Sequence, residues 1–412
     1  MSRTLTIPAL DGSGSFSAYV AVPASGHGPG IVIAQEIFGV NANMRATADL
    51  YAEEGYVAIV PDLFWRQKPG IELGYTPADF EQAIGYFQGF DLDKGIEDIQ
   101  ATLNLLRTLP EVETSVGQGL VGFCLGGRLA YFAACRTDVS VAVGYYGMGI
   151  EHALDEAPKI KGRLVLHFAE LDGYCDAAAR ATITEALAPN KRIEIYTYPG
   201  VEHAFARLGG MHFDKLASMM AQQRTIATLK RELGPDYDLS ALWDKHCEYE
   251  FGTRNVEDTM ATMVAEPYVN HIPTMTGGVG YKQLYRFYKN HFVHGNPPDM
   301  ALRPLSRTVG SNQLVDEFIM SFTHTTEVDW MLPGIAPTGR KVELPMLGVV
   351  RFRGDKLCHE HIYWDQASAL VQIGVLDPAG LPVAGAETAH KLIDETLPSN
   401  TLMARWKTSE GT

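Results

Sequence analysis

Gly119-Leu120-Val121-Gly122-Phe123-Cys124-Leu125-Gly126-Gly127-Arg128-Leu129-Ala130-Tyr131-Phe132-Ala133-Ala134 is the stretch whose reading decides the fold. Residues 119–123 read as a short buried strand and residues 127–134 as an apolar helix, with one reactive side chain, Cys124, at the turn between them. Small residues on both sides of that side chain are what a nucleophile elbow requires. The turn is strained, and the strand and helix must approach each other closely, so glycine is called for. Taken singly, a cysteine in a glycine-rich turn is read as well as a small core hydrophobe. The decision comes from the rest of the chain.

Upstream, residues 4–22 alternate in polarity around Asp11-Gly12-Ser13-Gly14, the pattern of a β-hairpin. Ile31-Val32-Ile33-Ala34 is a buried strand, a helix is expected over 42–54, and Tyr56-Val57-Ala58-Ile59-Val60 is the next strand. Asp91 is placed to cap a helix carrying Ile96, Ile99, Leu103 and Leu106. Downstream come three further strands, over 139–145, 163–168 and 192–196, and an amphipathic helix over 213–233. Alternating strands and helices with near-continuous apolar strands predict a parallel sheet covered on both faces. Reactive groups then belong at the carboxyl ends of the strands.

An elbow nucleophile needs a base and a group that orients the base, in the chain order nucleophile, acid, histidine. Asp172, in Phe168-Ala169-Glu170-Leu171-Asp172-Gly173, follows one strand; His203, in Gly200-Val201-Glu202-His203-Ala204-Phe205, follows the next. A loop-capping aspartate or a surface histidine is the plainer reading of each alone. Three such residues in this order, each after a strand, point to a Cys124–His203–Asp172 triad.

Residues 1–233 resemble the dienelactone hydrolase (carboxymethylenebutenolidase) family. The resemblance is carried by Gln35-Glu36-Ile37-Phe38-Gly39, Pro61-Asp62-Leu63-Phe64, Gly122 to Gly127, Gly144-Tyr145-Tyr146-Gly147, Asp172 and Gly200 to Arg207. It implies an α/β-hydrolase fold, the same triad, and hydrolysis of a lactone or related ester through a thioester. It also implies that Glu36 contacts the resting thiol and moves aside when substrate binds, that Leu125 and Ile37 supply the oxyanion-hole N–H groups, and that Arg207 binds a substrate carboxylate. Tyr145 and Phe80 are expected among the substrate-binding residues. Phe80 stands where the family's second carboxylate-binding arginine falls, which makes a larger or less charged lactone, ester or thioester a fair competitor to a dienelactone as substrate. Arg66 is a candidate replacement cation.

Gly234-Pro235-Asp236-Tyr237-Asp238 is a breaker cluster and sets the expected boundary, with a first domain over 1–235 and a second over 236–412. Beyond it come helices after Ser240 and Asn255 and over 282–291. Strands follow over 303–309, 314–328, 341–353 and 357–364, an α+β order. Residues 240–370 resemble the nuclear transport factor 2-like superfamily, in its polyketide-cyclase and ketosteroid-isomerase branch. The carrying stretches are Leu242-Trp243, Thr253-Arg254-Asn255, Tyr268 to Thr274 and His359 to Gln366. The resemblance implies a cone-shaped domain with an apolar pocket, commonly dimeric through its sheet. His359 and His361 share one face of a strand, and His271, His324 and Asp365 are expected to converge with them. Such a lining suits acid–base chemistry near neutral pH; hydrogen-bonded pocket or interface residues without catalytic duty are the equal alternative. The second domain is thus an isomerase or cyclase, or a binding or dimerisation module. His359 and His361 lack a third ligand at recognisable spacing, so neither a metal nor a cofactor is expected.

The chain has 412 residues, enough for two domains, and a hydrophobic content of 46% suits sizeable cores. Its net charge of -15 argues against nucleic-acid or anionic-membrane partners. Cys124, Cys135, Cys175, Cys247 and Cys358 show no disulfide or metal spacing, and the N-terminal residues lack a signal-peptide core. A cytoplasmic homodimer acting on a small lactone or ester is the expectation.

Overall fold

Eight strands build the first sheet: Ser2–Pro8 (β1), Ser15–Ala21 (β2), Gly30–Ala34 (β3), Val57–Pro61 (β4), Gly119–Phe123 (β5), Val141–Tyr145 (β6), Arg163–Ala169 (β7) and Ile193–Tyr198 (β8). The computed structural model describes residues 2–411. The sheet order is β1-β2-β4-β3-β5-β6-β7-β8. It is parallel from β4 to β8, with β1 and β2 as an antiparallel hairpin at one edge. Every residue of β3, β4, β5 and β6 is buried, as expected of strands with helices on both faces. The flanking helices are Ala42–Glu53 (α1), Pro77–Gln88 (α2), Leu92–Leu106 (α3), Leu125–Arg136 (α4), Ala177–Leu187 (α5) and Lys215–Leu233 (α6).

The strand order reverses between β3 and β5, which are neighbours. Such a switch point opens a crevice at the carboxyl ends of the two strands. Gln35, Glu36 and Ile37 leave β3 there, and Cys124 leaves β5. Residue spacing alone located the hairpin, α1, α3 and α6, but not α2 or α5. In α2 only Ala83 is buried, so its apolar residues do not make the core-facing stripe that periodicity reads. A capping box on Thr76 and Asp79 starts it instead.

Cα packing divides the chain into two units, the first ending at Asp236 and the second beginning at Tyr237. The second unit contains the helices Leu239–Cys247 (α7), Val256–Ala261 (α8), Gly280–Phe287 (α9), Gln366–Gln372 (α10) and Glu387–Ile393 (α11). Its strands are Met263–His271 (β9), Thr276–Val279 (β10), Ala301–Val309 (β11), Gln313–Thr323 (β12), Lys341–Arg353 (β13) and Lys356–Trp364 (β14), in the order β10-β9-β14-β13-β12-β11. All pairs are antiparallel except β14 with β9. This is an α+β unit with its own apolar core around Trp243, Phe292, Trp330 and Phe352. Among the described residues no helix is long and apolar enough to cross a membrane.

Candidate active site

The elbow is held by close backbone approach. A Cβ on Gly122 would lie 1.9 Å from the Gly126 carbonyl oxygen, and one on Gly126 would lie 2.1 Å from that of Ala34. Only glycine lets β5, α4 and the end of β3 meet this closely. Cys124 itself adopts φ 56° and ψ -111°, a left-handed conformation that is strained for a side-chain-bearing residue. Leu125 opens α4, so its N–H belongs to the first turn, where no intrahelical acceptor exists.

Asp172 and His203 come from the loops after β7 and β8, and backbone bonds join these loops. Glu170 N–H donates to the Tyr198 carbonyl and Leu171 N–H to that of Val201, each at 2.9 Å. Gly200 N–H donates to Glu170 Oε2 at 2.8 Å. The result places His203 Nδ1 2.8 Å from Asp172 Oδ2, while Asp172 Oδ1 accepts from Tyr174 N–H. The Asp172 carboxylate is almost wholly shielded. Burial works against charge on His203, but the Cys124 sulfur and the Asp172 carboxylate outweigh it and push its pKa up to about 10. His167 behaves oppositely. Buried between Tyr198 Oη and Thr225 Oγ1, it is pushed down to about 3 and stays neutral. An imidazole set between a thiol and a buried carboxylate can take a proton from the first and return it to a leaving group.

Glu36 is where the resemblance and the geometry part. Its two oxygens accept from Arg207 Nε and Nη2 at 2.9–3.1 Å, and both side chains are largely buried. Glu36 is therefore turned onto Arg207 rather than engaged with the thiol. Arg207 is likewise not a free cation, since a carboxylate of the chain itself neutralises its fork. Its guanidinium also lies over the rings of Phe38 and Tyr75, at 5.1 and 4.6 Å. Arg66 does not replace a missing cation: it pairs with the buried Asp98 and with Asp11. Tyr145 does not line the large cavity beside Cys124: its ring stacks on Phe123, its hydroxyl meets Thr225 Oγ1 at 2.6 Å, and it lines a smaller cavity of about 80 Å³ with Glu36, Tyr146 and Arg207.

Cys124 and His203 sit at a cavity of about 790 Å³, within the size range of small-molecule sites. Ile37, Phe38, Phe80 and Arg207 line it, together with residues the sequence reading passed over: Tyr75, Ile84, Phe87, Met148, Tyr174 and Met211. Phe80, Ile84 and Phe87 stand at i, i+4 and i+7 on α2, a helical stripe that faces the cavity instead of the core. That spacing was the available signal.

In the second unit the expected convergence does not occur. On β14, Glu360, Ile362 and Trp364 are the buried set, whereas His359 and His361 lie on the other face beside Tyr268. A register shift between Leu357 and His359 sets this parity. His271 is buried among Phe287, Phe292 and Trp330, with its pKa pushed down to about 4 by that burial. His324 bonds with Thr338, and Asp365 caps α10 through Ala367 N–H. The residues that do converge are His246, Glu250 and Glu360, all buried. A His–Glu pair four apart at the end of α7, and one carboxylate on the buried parity of β14, were the signals available.

Residues 16–233 match the model of the dienelactone hydrolase family, and residues 244–360 that of the SnoaL-like domain. A carboxymethylenebutenolidase of Pseudomonas putida is 38% identical over 229 residues, 55% of this chain and 95% of the relative. One from Pseudomonas sp. (strain P51) is 39% identical over 223 residues, 53% of this chain and 92% of the relative. Among solved structures, a dienelactone hydrolase-like promiscuous phosphotriesterase from metagenomic libraries matches with a TM-score of 0.49 at 19% identity. That match covers 57% of this chain and 99% of the other.

Proposed function

The chain belongs to the dienelactone hydrolase family and is a hydrolase of carboxylic esters or lactones, and from that premise we propose that it works through Cys124, His203 and Asp172 by way of a thioester. The observation that carries the reading is His203 set between Asp172, at 2.8 Å, and the Cys124 sulfur, with Cys124 and His203 both lining the large cavity. Cys124 attacks the carbonyl carbon as His203 holds the thiol proton, and the N–H groups of Leu125 and Ile37 receive the developing oxyanion. His203 then protonates the leaving alkoxide. Water, deprotonated by His203, opens the thioester and frees the acid. Asp172 keeps the imidazole in the tautomer that faces sulfur.

The walls favour an apolar acyl or alkyl group. Phe38, Tyr75, Phe80, Ile84 and Phe87 offer rings and methyls, and the charge of Arg207 is already met by Glu36. The site is therefore read as preferring uncharged esters and lactones over carboxylated dienelactones. A panel of both, with intact-mass detection of the acyl-enzyme, tests this. An acyl adduct on the protein, absent in Cys124→Ala together with at least a roughly 10³-fold loss of turnover, is expected. Unchanged turnover in Cys124→Ala sinks the triad.

Residues 1–235 carry this chemistry in our reading, and residues 236–412 form a separate SnoaL-like domain. The cavity among Trp243, Phe292 and Trp330 has room for about 20 Å³, enough for a water and too little for an organic substrate. That supports a binding or dimerisation role for the second domain over isomerase or cyclase chemistry. A homodimer in a reducing, cytoplasmic setting, which keeps a thiol nucleophile competent, completes the reading; light scattering on the purified chain tests the assembly.

A further inference from the structure

The last turn of α7 carries His246, and the chain continues into a π-helical turn, Glu248–Gly252, that places Glu250 on the same side. Such turns recur at functional sites because they re-aim one side chain without ending the helix. Glu360 reaches the same point from β14. His246 Nε2 lies 3.1 Å from Glu250 Oε1 and 3.1 Å from Glu360 Oε1, and all three side chains are shielded from solvent.

The hydrogen bonds around the ring settle which nitrogen carries hydrogen. Thr262 Oγ1 donates to the Thr259 carbonyl at 2.6 Å, so it can only accept from His246 Nδ1, also at 2.6 Å. In the neutral ring Nε2 is then an acceptor, facing two further acceptors. A hydrogen on Nε2 serves one of them: it bonds Glu250, while Glu360 Oε1 stays buried without a hydrogen bond. The hydroxyl of Tyr288 is buried beside the same two carboxylates. A buried carboxylate oxygen left in this condition needs either a proton, toward which burial pushes Glu360, or a cation.

We propose that His246, Glu250 and Glu360 bind one divalent first-row transition-metal ion in the second domain. Two carboxylates and a neutral imidazole make a donor set with charge equal and opposite to that of a divalent ion. Imidazole with carboxylate oxygen suits zinc, manganese and iron. Bonds of about 2.1 Å at right angles separate donor atoms by about 3.0 Å, close to the two histidine–carboxylate spacings of 3.1 Å, and all three donor atoms lie within 4.8 Å of one another. Thr262 fixes the ring from behind, as outer partners of ligating histidines do. Glu250 and Glu360 also line a cavity of about 20 Å³, which has room for an ion or a water and not for an organic ligand.

The test uses the full chain, stripped with a chelator and titrated with Zn²⁺, Mn²⁺ or Co²⁺ alone, with bound metal counted by elemental mass spectrometry. One equivalent is expected, accompanied by a rise in Tm that grows with free ion concentration. Glu250→Gln and Glu360→Gln each lose that equivalent, and Thr262→Val weakens binding roughly tenfold to a hundredfold. Failure of the unaltered chain to bind any of the three ions overturns the proposal, whatever the variants do. So does an equivalent that survives both glutamine variants, or one that vanishes in Cys124→Ala and so belongs to the first domain.

Discussion

The two domains each bury a histidine against carboxylates, yet they leave it in different company. In the first, charges are matched in pairs, Asp172 with His203 and Glu36 with Arg207, beside a cavity of about 790 Å³. In the second, one imidazole faces two carboxylates, which also line a space of about 20 Å³. Matched pairs beside a large opening leave the nucleophile free to meet an organic molecule. An excess of acceptors around a small opening leaves a place for a cation. In our proposal, what separates the catalytic from the ion-holding constellation is charge balance and room, not residue type.

The contrast can be broken most severely at His203. His203→Gln lowers ester turnover by roughly 10²–10⁴-fold, the range of general acid–base catalysis, measured as kcat/KM on an uncharged ester. The same residue gives a pH test with a definite sign. Its pKa rises from 6.5 to about 10 on folding. Its contribution to stability is then fully present below about pH 6.5 and fades as pH climbs through about 10. The gap in Tm between the protein and His203→Gln therefore narrows from pH 6.5 to pH 10; a gap that widens contradicts the arrangement.

Removing the histidine of the other constellation acts on stability instead. His246→Leu strands two buried carboxylates and costs about 3–5 kcal/mol, read as a shift of the second domain's unfolding midpoint in urea. A shift under 1 kcal/mol would mean that the cluster is not charged as drawn. Smaller still is Phe80→Arg, which adds a cation to the apolar wall. A charge-assisted hydrogen bond of about 1.5–3 kcal/mol raises the preference for carboxylated over uncharged lactones by about tenfold or more. The least effect is at Tyr145. Because its hydroxyl bonds Thr225 in the core, Tyr145→Phe costs about 1 kcal/mol of stability and leaves turnover within about threefold. A large rise in KM would return Tyr145 to the substrate site.

How much could be read beforehand follows from how local each signal is. Cys124 declared itself through five consecutive neighbours, and Asp172 and His203 through their place after strands. By contrast only Phe80 of the α2 stripe was expected at the site, and Ile84 and Phe87 were passed over, since periodicity names a face but not what the face meets. His359 and His361 were rightly put on one side of a strand, but which side faced the core depended on a register shift that no spacing announces.

By itself, then, the sequence determined most of the elements, their alternation, the elbow and the order of the two groups that follow it, because backbone geometry and strand burial are written in near neighbours. Only the tertiary structure decided that Glu36 would face Arg207, 171 residues away, and that His246, Glu250 and Glu360 would meet. Pairings between charges depend on distances through space, and those exist only once the chain has closed on itself.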